Sequence, residues 1–432
     1  MKTNSAIGGK GFSRRDFLKS ATAGGLATLL AASPRLYAAG SDKIRIGLIG
    51  CGQRGRHDSK NCLRASENIE ITAMGDLFKD QLDGAVAELT KEFPDKIRVT
   101  PDTCFVGFDA YKKVLNCDID MVMLTEVPHF RPAHFKAAVE AGKHVFMEKP
   151  VAVDPVGVRS VIDSSDIADS KGLKIVAGTQ MRRIAHLVAG IERIHNGQIG
   201  DIVGGHCIRH GDGMMNWGAR ERKAEWSDME WQLRRWLFMT WLSGDFIAEQ
   251  HIHNLDIINW ALKSHPVQCF ASGGRQVRTA PEYGDAYDHF AVEYEYPNDV
   301  RIQYMGEQID GCSDRNDQWL GGTKGTAYLD FGLAIIKGQN PWKSEGESPN
   351  PEIIQHANHI AAIREGKPLN EGRRVAESTL TAIMGRISAY TGRALKWDWV
   401  MNASKLDLTP TSYEFGELPM PAVAMPGKTK LI

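Results

Sequence analysis

The sequence predicts an α/β N-terminal domain on a parallel sheet, followed by an α+β C-terminal domain on a mostly antiparallel open sheet. Three observations carry this. The 432 residues exceed what one ordinary core holds, so two domains are expected. From residue 40, short β-branched runs alternate with helical stretches, the order that builds a parallel sheet with helices on both faces. Past residue 178 the runs lengthen, and two of them meet at a hairpin turn, which marks antiparallel pairing.

The elements follow in order. Residues 43–49 form a short apolar run with β-branched residues, hence a strand. A helix over 55–66, a strand over 69–75 and a helix over 81–92 come next. Residues 108–115 look helical, and 120–124 (DMVML) read as a buried strand. The helix over 133–141 meets a C-cap signal at Gly142, and a strand over 144–147 leads into Glu148-Lys149-Pro150. In the second half, strands are expected over 200–210, 290–296 and 300–306, the last two joined by Pro297-Asn298-Asp299. Helices are expected over 244–262, 352–365 and 375–391, and the proline-rich tail from Leu408 as an irregular surface arm. The expected division is 1–40, 41–165 and 166–432.

Residues 1–40 read as an export signal. Ser13-Arg14-Arg15-Asp16-Phe17-Leu18-Lys19 fits the twin-arginine pattern, ahead of the apolar run 21–32 and small residues near Ala38. That run is too short to span a bilayer, so no integral membrane segment is expected in the mature chain. The expected location is the periplasm, reached through the twin-arginine machinery, which carries proteins already folded. Without the signal the chain keeps 46 basic against 52 acidic residues. That mild acidity offers no basic face for nucleic acid. The seven cysteines are an odd number without a C-x-x-C pair, so buried free thiols are expected rather than a disulfide framework.

Gly50, Gly52 and Gly55 stand in a G-x-G-x-x-G frame between the first strand and first helix, and Asp76 ends the next strand. Gly50 would allow the tight turn, Gly52 a close approach of pyrophosphate, and Gly55 close packing of helix on sheet. The free N–H groups at that helix's start, around Gln53 and Arg54, would face the phosphates. Asp76 would accept from the adenine ribose hydroxyls, which favours NAD over NADP. Arg54 and Arg56 keep NADP open, since either can pair with a 2′-phosphate. The first domain therefore reads as a Rossmann domain for NAD.

The run AGKHVFM before Glu148-Lys149-Pro150 resembles the Gfo/Idh/MocA family, the glucose–fructose oxidoreductase and inositol dehydrogenase group. The resemblance continues through GTQMRR, which holds Gln180 and Arg182, through GDFIAEQHIHNLDIINW, and through HIAAIREGKPLNEGRRVAESTLTAI. It implies that Lys149 reaches the active site, and that Glu249, His253 and Asp256 fill an acid-x-x-x-His-x-x-Asp motif. On one continuous helix those three would share a face. It also implies cofactor contacts from Glu148, Gln180 and the run Thr125-Glu126-Val127-Pro128. Thr125 and Pro128 are the expected contacts there, and Glu126 departs from the family's usual Thr-Pro. Glu148 has a rival reading as a salt-bridge or helix-cap residue. Oligomerisation of identical chains through the open sheet face follows from the resemblance alone.

The implied chemistry is hydride removal from a carbon that bears a hydroxyl. His253 would take the hydroxyl proton, Lys149 would bond the same oxygen, and Glu249 would orient His253 or grip a second hydroxyl. A metal site at His251 and His253 with Glu249 or His289 is not favoured, because on a helix the two imidazoles diverge by about 200°. Half of the ten tryptophans fall between Trp217 and Trp241. Flat indole faces suit sugar rings, and Trp217 and Trp226 are the expected platforms, with Arg182 and Asp256 as further substrate contacts. An exported enzyme cannot readily replace lost cofactor, so NAD is expected to be tightly held and regenerated in place. Two cycles do this: paired oxidation and reduction of two substrates, or a redox-neutral glycosidase cycle of oxidation, elimination, hydration and reduction. A non-catalytic nucleotide- or sugar-binding protein is the alternative of a different class.

Overall fold

The computed structural model describes residues 43–214 and 221–432. The twin-arginine stretch and Trp217 lie outside the described residues.

The first domain runs β1 (Ile44–Ile49), α1 (Gln53–Ala65), β2 (Ile69–Asp76), α2 (Lys79–Glu92), β3 (Cys104–Val106), α3 (Ala110–Leu115), β4 (Met121–Leu124), α4 (Arg131–Glu140), β5 (His144–Met147), α5 (Pro155–Ser170) and β6 (Ile175–Ala177). The strands pair in parallel in the order β3-β2-β1-β4-β5-β6. Alternating residues serve opposite faces: Ile46, Leu48, Ile71 and Met74 join one core, and Ile49, Ala73, Val122 and Leu124 the other. Each buried Ile, Leu, Val or Met among these contributes about 1.5–3 kcal/mol. The strand order reverses between β1 and β4, which leaves a crevice beyond their carboxyl ends.

The expected division at residue 165 falls inside a helix, α5, and β6 then adds to the first sheet with Ile175 opposite Val145. The sheet has three apolar residues left to place, "IVA", all fully buried, and they go beside β5.

The second domain holds α6 (Ala185–His195), β7 (Ile202–Gly211), α7 (Asp228–Arg234), α8 (Phe246–Glu249), α9 (Ile252–Leu262), β8 (Gln268–Gly274), β9 (His289–Tyr296), β10 (Val300–Gln308), β11 (Arg315–Gly322), β12 (Gly325–Asp330), β13 (Ala334–Gly338), β14 (Trp342–Lys343), α10 (Pro351–Glu365), α11 (Gly372–Thr391) and β15 (Leu395–Lys396). Its nine-stranded sheet is antiparallel except where β10 runs parallel to β7. Val300, Ile302 and Tyr304 of β10 point into the core beside α9 and α11, while Arg301 and Met305 point out. Val203, Phe270, Met305 and Trp319 leave an exposed apolar face on this sheet.

The expected helix over 244–262 is two helices. Asp245 has a positive φ of 67°, and its carboxylate accepts from Phe246 N (2.6 Å) and Tyr390 Oη (2.5 Å), which sets the start of α8. Gln250 and His251 then interrupt the helix, and His251 Nδ1 lies 2.6 Å from Tyr304 Oη.

The tail from Leu408 has no regular structure, as expected, but it is pinned across both domains. Tyr413 packs on Phe108 and Phe130, and Phe415 on Phe78 and Phe108. Gln232 of α7 donates to Leu418 O (2.7 Å), and Leu418 N donates to Asp228 (3.2 Å). Among the described residues no helix is long and apolar enough to cross a membrane, and all seven cysteines are free.

Candidate active site

A cleft of about 640 Å³ opens beyond the carboxyl ends of β1, β2 and β4, with walls from both domains. Its floor is the glycine loop. Gly50 has φ +90°, and a Cβ there would stand 2.3 Å from Glu126 N, so only glycine fits. A Cβ on Gly55 would fall 1.9 Å from Gly50 O; Gly55 packs α1 on the loop and does not face the cleft. A Cβ on Gly52 would meet only Gln81 Oε1, at 4.0 Å. The loop is thus open on that side. Gly52 caps α1 without a side chain, and Gln53 and Arg54 of its first turn line the cleft, leaving N–H donors for an anion. Thr125 Oγ1 donates to Gly50 O (2.7 Å), and Asp76 accepts from Cys51 N (2.6 Å) and Phe78 N (2.7 Å). Burial raises the Asp76 pKa to about 6. These residues fit a dinucleotide: free donors where phosphates pass and a carboxylate at the end of β2.

The two arginines beside the loop are engaged. Arg54 pairs with Glu148 (2.7 Å), Asp58 (2.9 Å) and Glu352 (3.1 Å), and Arg56 with Glu88 (3.1 Å). Glu148 thus serves the rival, salt-bridge reading while still lining the cleft. A Cβ on Gly178 would lie 2.2 Å from its carboxylate, so this packing requires that glycine. Among the described residues, His57, Asp58 and Glu352 have donor atoms close enough for a metal ion, but Arg54 already pairs with both of these acids.

Lys149, Glu249 and His253 meet in the cleft. Lys149 Nζ donates to Glu249 Oε1 (3.1 Å) and to Glu249 O. Burial, with the Lys149 charge beside it, pushes the His253 pKa well below that of free imidazole, so the ring is neutral. His253 Nδ1 and Gln180 Oε1 are buried without a partner. The helical spacing expected for 249, 253 and 256 does not act here, because the break at Gln250 separates Glu249 from the other two. Asp256 and Arg182, expected as substrate contacts, are engaged elsewhere. Neither lines the cleft: they bond each other (2.7 Å), Asp256 also takes Arg374 (3.1 Å) and Ser378 (2.7 Å), and Arg182 covers Trp260. Burial acts to raise the Asp256 pKa, but Arg182 and Arg374 outweigh it and hold the carboxyl far below the usual range.

The aromatic wall also differs from expectation. Trp226 stacks on Trp231 and backs Arg234 (4.9 Å), while Trp236 and Arg234 themselves face the cleft. Pro128, expected as a cofactor contact, is buried and does not line the cleft, while Val127 and Phe130 do. Trp236 belongs to the tryptophan cluster legible in the sequence. Phe108 and the Glu126–His134 pair carried no sequence signal for contact. A second cavity of about 380 Å³, lined by Arg209, His210, Asp212, Glu307 and Arg315, adjoins through Gln250.

A parallel α/β domain with this loop, joined to an α+β domain that brings a lysine and an imidazole to it, defines a two-domain nicotinamide oxidoreductase. Residues 44–179 match the model for the oxidoreductase family with an NAD-binding Rossmann fold, and 191–328 that for the GFO/IDH/MocA C-terminal domain. The chain belongs to the Gfo/Idh/MocA family. It is 23% identical over 334 residues to an uncharacterized oxidoreductase of Streptococcus pneumoniae, covering 75% of this chain and 81% of that one. It is 23% identical over 225 residues to inositol 2-dehydrogenase of Azotobacter vinelandii, covering 52% and 56%. A glycosyl hydrolase family 109 protein of Shewanella putrefaciens is 31% identical over 134 residues, 30% of this chain and 28% of that one. The fold of this chain resembles that of levoglucosan dehydrogenase solved with NADH and levoglucosan (TM-score 0.64, 16% identity, 82% of this chain and 99% of the other).

Proposed function

We propose that the protein is an NAD-dependent oxidoreductase acting on a CH–OH group of a sugar or glycoside. The observation that supports this best is that Lys149, Glu249 and His253, from two domains, share one cavity with the glycine loop. A bound nicotinamide supplies the hydride acceptor. His253, neutral in its buried setting, takes the hydroxyl proton. Lys149 has three donors, and two are spent on Glu249, so one is left for the substrate oxygen. Glu249 fixes that ammonium in place. Asp76 at the end of β2, with Arg54 and Arg56 already paired, supports NAD over NADP.

The test is to add a sugar panel to the purified protein and follow absorbance at about 340 nm, with mass spectrometry of any nucleotide released on denaturation. A protein that releases no nicotinamide nucleotide and responds to no sugar rejects the proposal. His253→Ala is expected to lower kcat by about 10²–10⁴-fold and leave NAD affinity within about twofold. Loss of affinity without loss of kcat would assign His253 to binding instead.

Export with the cofactor aboard belongs to the same proposal, supported by Arg14-Arg15 in their context. A reporter fused to residues 1–40 should reach the periplasm only when both arginines are intact. Self-association through the exposed apolar sheet face is supported by Val203, Phe270, Met305 and Trp319, and light scattering tests it. The likeness to a glycosyl hydrolase family 109 protein favours a second reading, redox-neutral cleavage of a glycoside. In that cycle the sugar is oxidised, loses its substituent, takes up water and is reduced again. Solvent deuterium next to the oxidised carbon, with no net absorbance change, selects this reading. Net NADH with no bond cleaved removes it.

A further inference from the structure

Asp76, Glu126, Glu148 and Glu249 are the carboxylates that line the cleft, and three of them have firm partners. Asp76 takes backbone N–H groups, Glu148 holds Arg54, and Glu249 holds Lys149. Glu126 differs. Its side chain is 9% exposed, Oε1 lies 3.1 Å from His134 Nδ1, and Oε2 is buried with no partner. The buried Arg131, which also lines the cleft, donates to the backbone oxygens of Pro150 and Glu126, and it acts on the Glu126 carboxylate through its charge without a hydrogen bond. His134 stacks between Tyr111 (3.9 Å) and Phe130 (5.8 Å), so the imidazole, and through it the carboxylate, is held still.

Strand register says which end of the cleft Glu126 serves. Leu124 of β4 pairs with Met147 of β5. Glu126 stands two residues beyond the first and Lys149 two beyond the second, so both project past the same edge of the sheet. Asp76 lies on the other side of the switch point, at the end of β2. Glu126 therefore belongs to the reactive half of the cleft with Lys149 and His253.

We propose that Glu126 biases this site toward the oxidised, cationic nicotinamide over the reduced, neutral one. The inference rests on the nicotinamide reading above. The oxidised ring carries a positive charge that the reduced ring lacks. A buried carboxylate oxygen without a donor attracts that charge, in surroundings that screen it several-fold less than water. Stabilising the oxidised form alone makes the reduced form a stronger hydride donor, which suits a cofactor that must hand its hydride on in place.

The test compares Kd for NAD⁺ and NADH on the full chain freed of nucleotide. Glu126→Gln keeps the shape and removes the charge. It should weaken NAD⁺ about tenfold and change NADH by less than about twofold. Glu126→Met, also uncharged, carries the same expectation if the first variant fails to fold. His134→Gln keeps the Glu126 charge and should leave the NADH-to-NAD⁺ ratio of Kd values near wild type. Equal weakening of both nucleotides by the uncharged variants overturns the proposal, because it assigns Glu126 to a group that both forms share. A ratio changed as much by His134→Gln overturns it too, since packing rather than charge would then be responsible. A wild-type chain that binds neither nucleotide removes the nicotinamide reading itself, a result distinct from an unchanged ratio.

Discussion

His356 on α10 has both ring nitrogens buried without a partner and lies 4.4 Å from the Phe146 ring. Burial, reinforced by His359, lowers its pKa to about 3. The unfolded chain takes up this proton near pH 6.5 and the folded chain does not. Its contribution to stability is therefore full above that pH and falls as pH drops toward 3. His356→Leu removes the penalty. Relative to the wild type, the variant should gain about 2 kcal/mol between pH 7 and pH 5, read from urea unfolding at the two values. A constant difference between them would show that His356 is not held neutral. The same physics applies at His253, where a lowered pKa keeps the base free at the pH where it must work. Residue identity alone does not tell these two histidines apart: one faces a cleft and the other an apolar ring, and burial silences both charges.

At the level of elements, the glycine loop was legible because its glycines have separate steric duties. Gly52 borders open space, so Gly52→Ala should unfold at the wild-type temperature yet lose NAD affinity at least about tenfold, since the new methyl would meet the pyrophosphate. Gly55→Ala places a methyl against Gly50 O and should lower Tm outright. Calorimetry of unfolding and of NAD binding separates the two; matching losses in both variants would deny the division of roles. The acid-His-Asp motif shows the opposite lesson. Periodicity put Glu249, His253 and Asp256 on one face, but the Asp245 cap and the His251–Tyr304 contact broke the helix. Asp256 was drawn to Arg182 and Arg374, partners distant in sequence, whose charges are invisible to local spacing.

Across the whole molecule, the tail joins the two domains behind the aromatic wall of the cleft. Leu408 N donates to Asp154 (2.9 Å), Tyr413 Oη lies 2.8 Å from His129 Nε2, and Leu418 is tied to α7. Phe78, Phe108 and Phe130 line the cleft on one side and touch Tyr413 or Phe415 on the other. A chain ending at Asp407 should keep its secondary structure, lose a few degrees of Tm and release nucleotide about tenfold faster. Stopped-flow displacement checks the rate, and an unchanged rate would mean that the tail is only a surface covering.

The sequence by itself determined the two-domain plan, the parallel sheet and the glycine loop, because these follow from periodicity, turn chemistry and steric need within short stretches of chain. Its motifs also named Lys149, Glu249 and His253. Only the tertiary structure decided which charges were spent on one another. It placed Arg54 on Glu148, Asp256 on Arg182, and Glu126 in the cleft with one oxygen unmet. Charge pairing and desolvation depend on distances between residues far apart in the chain, and local pattern does not carry those distances.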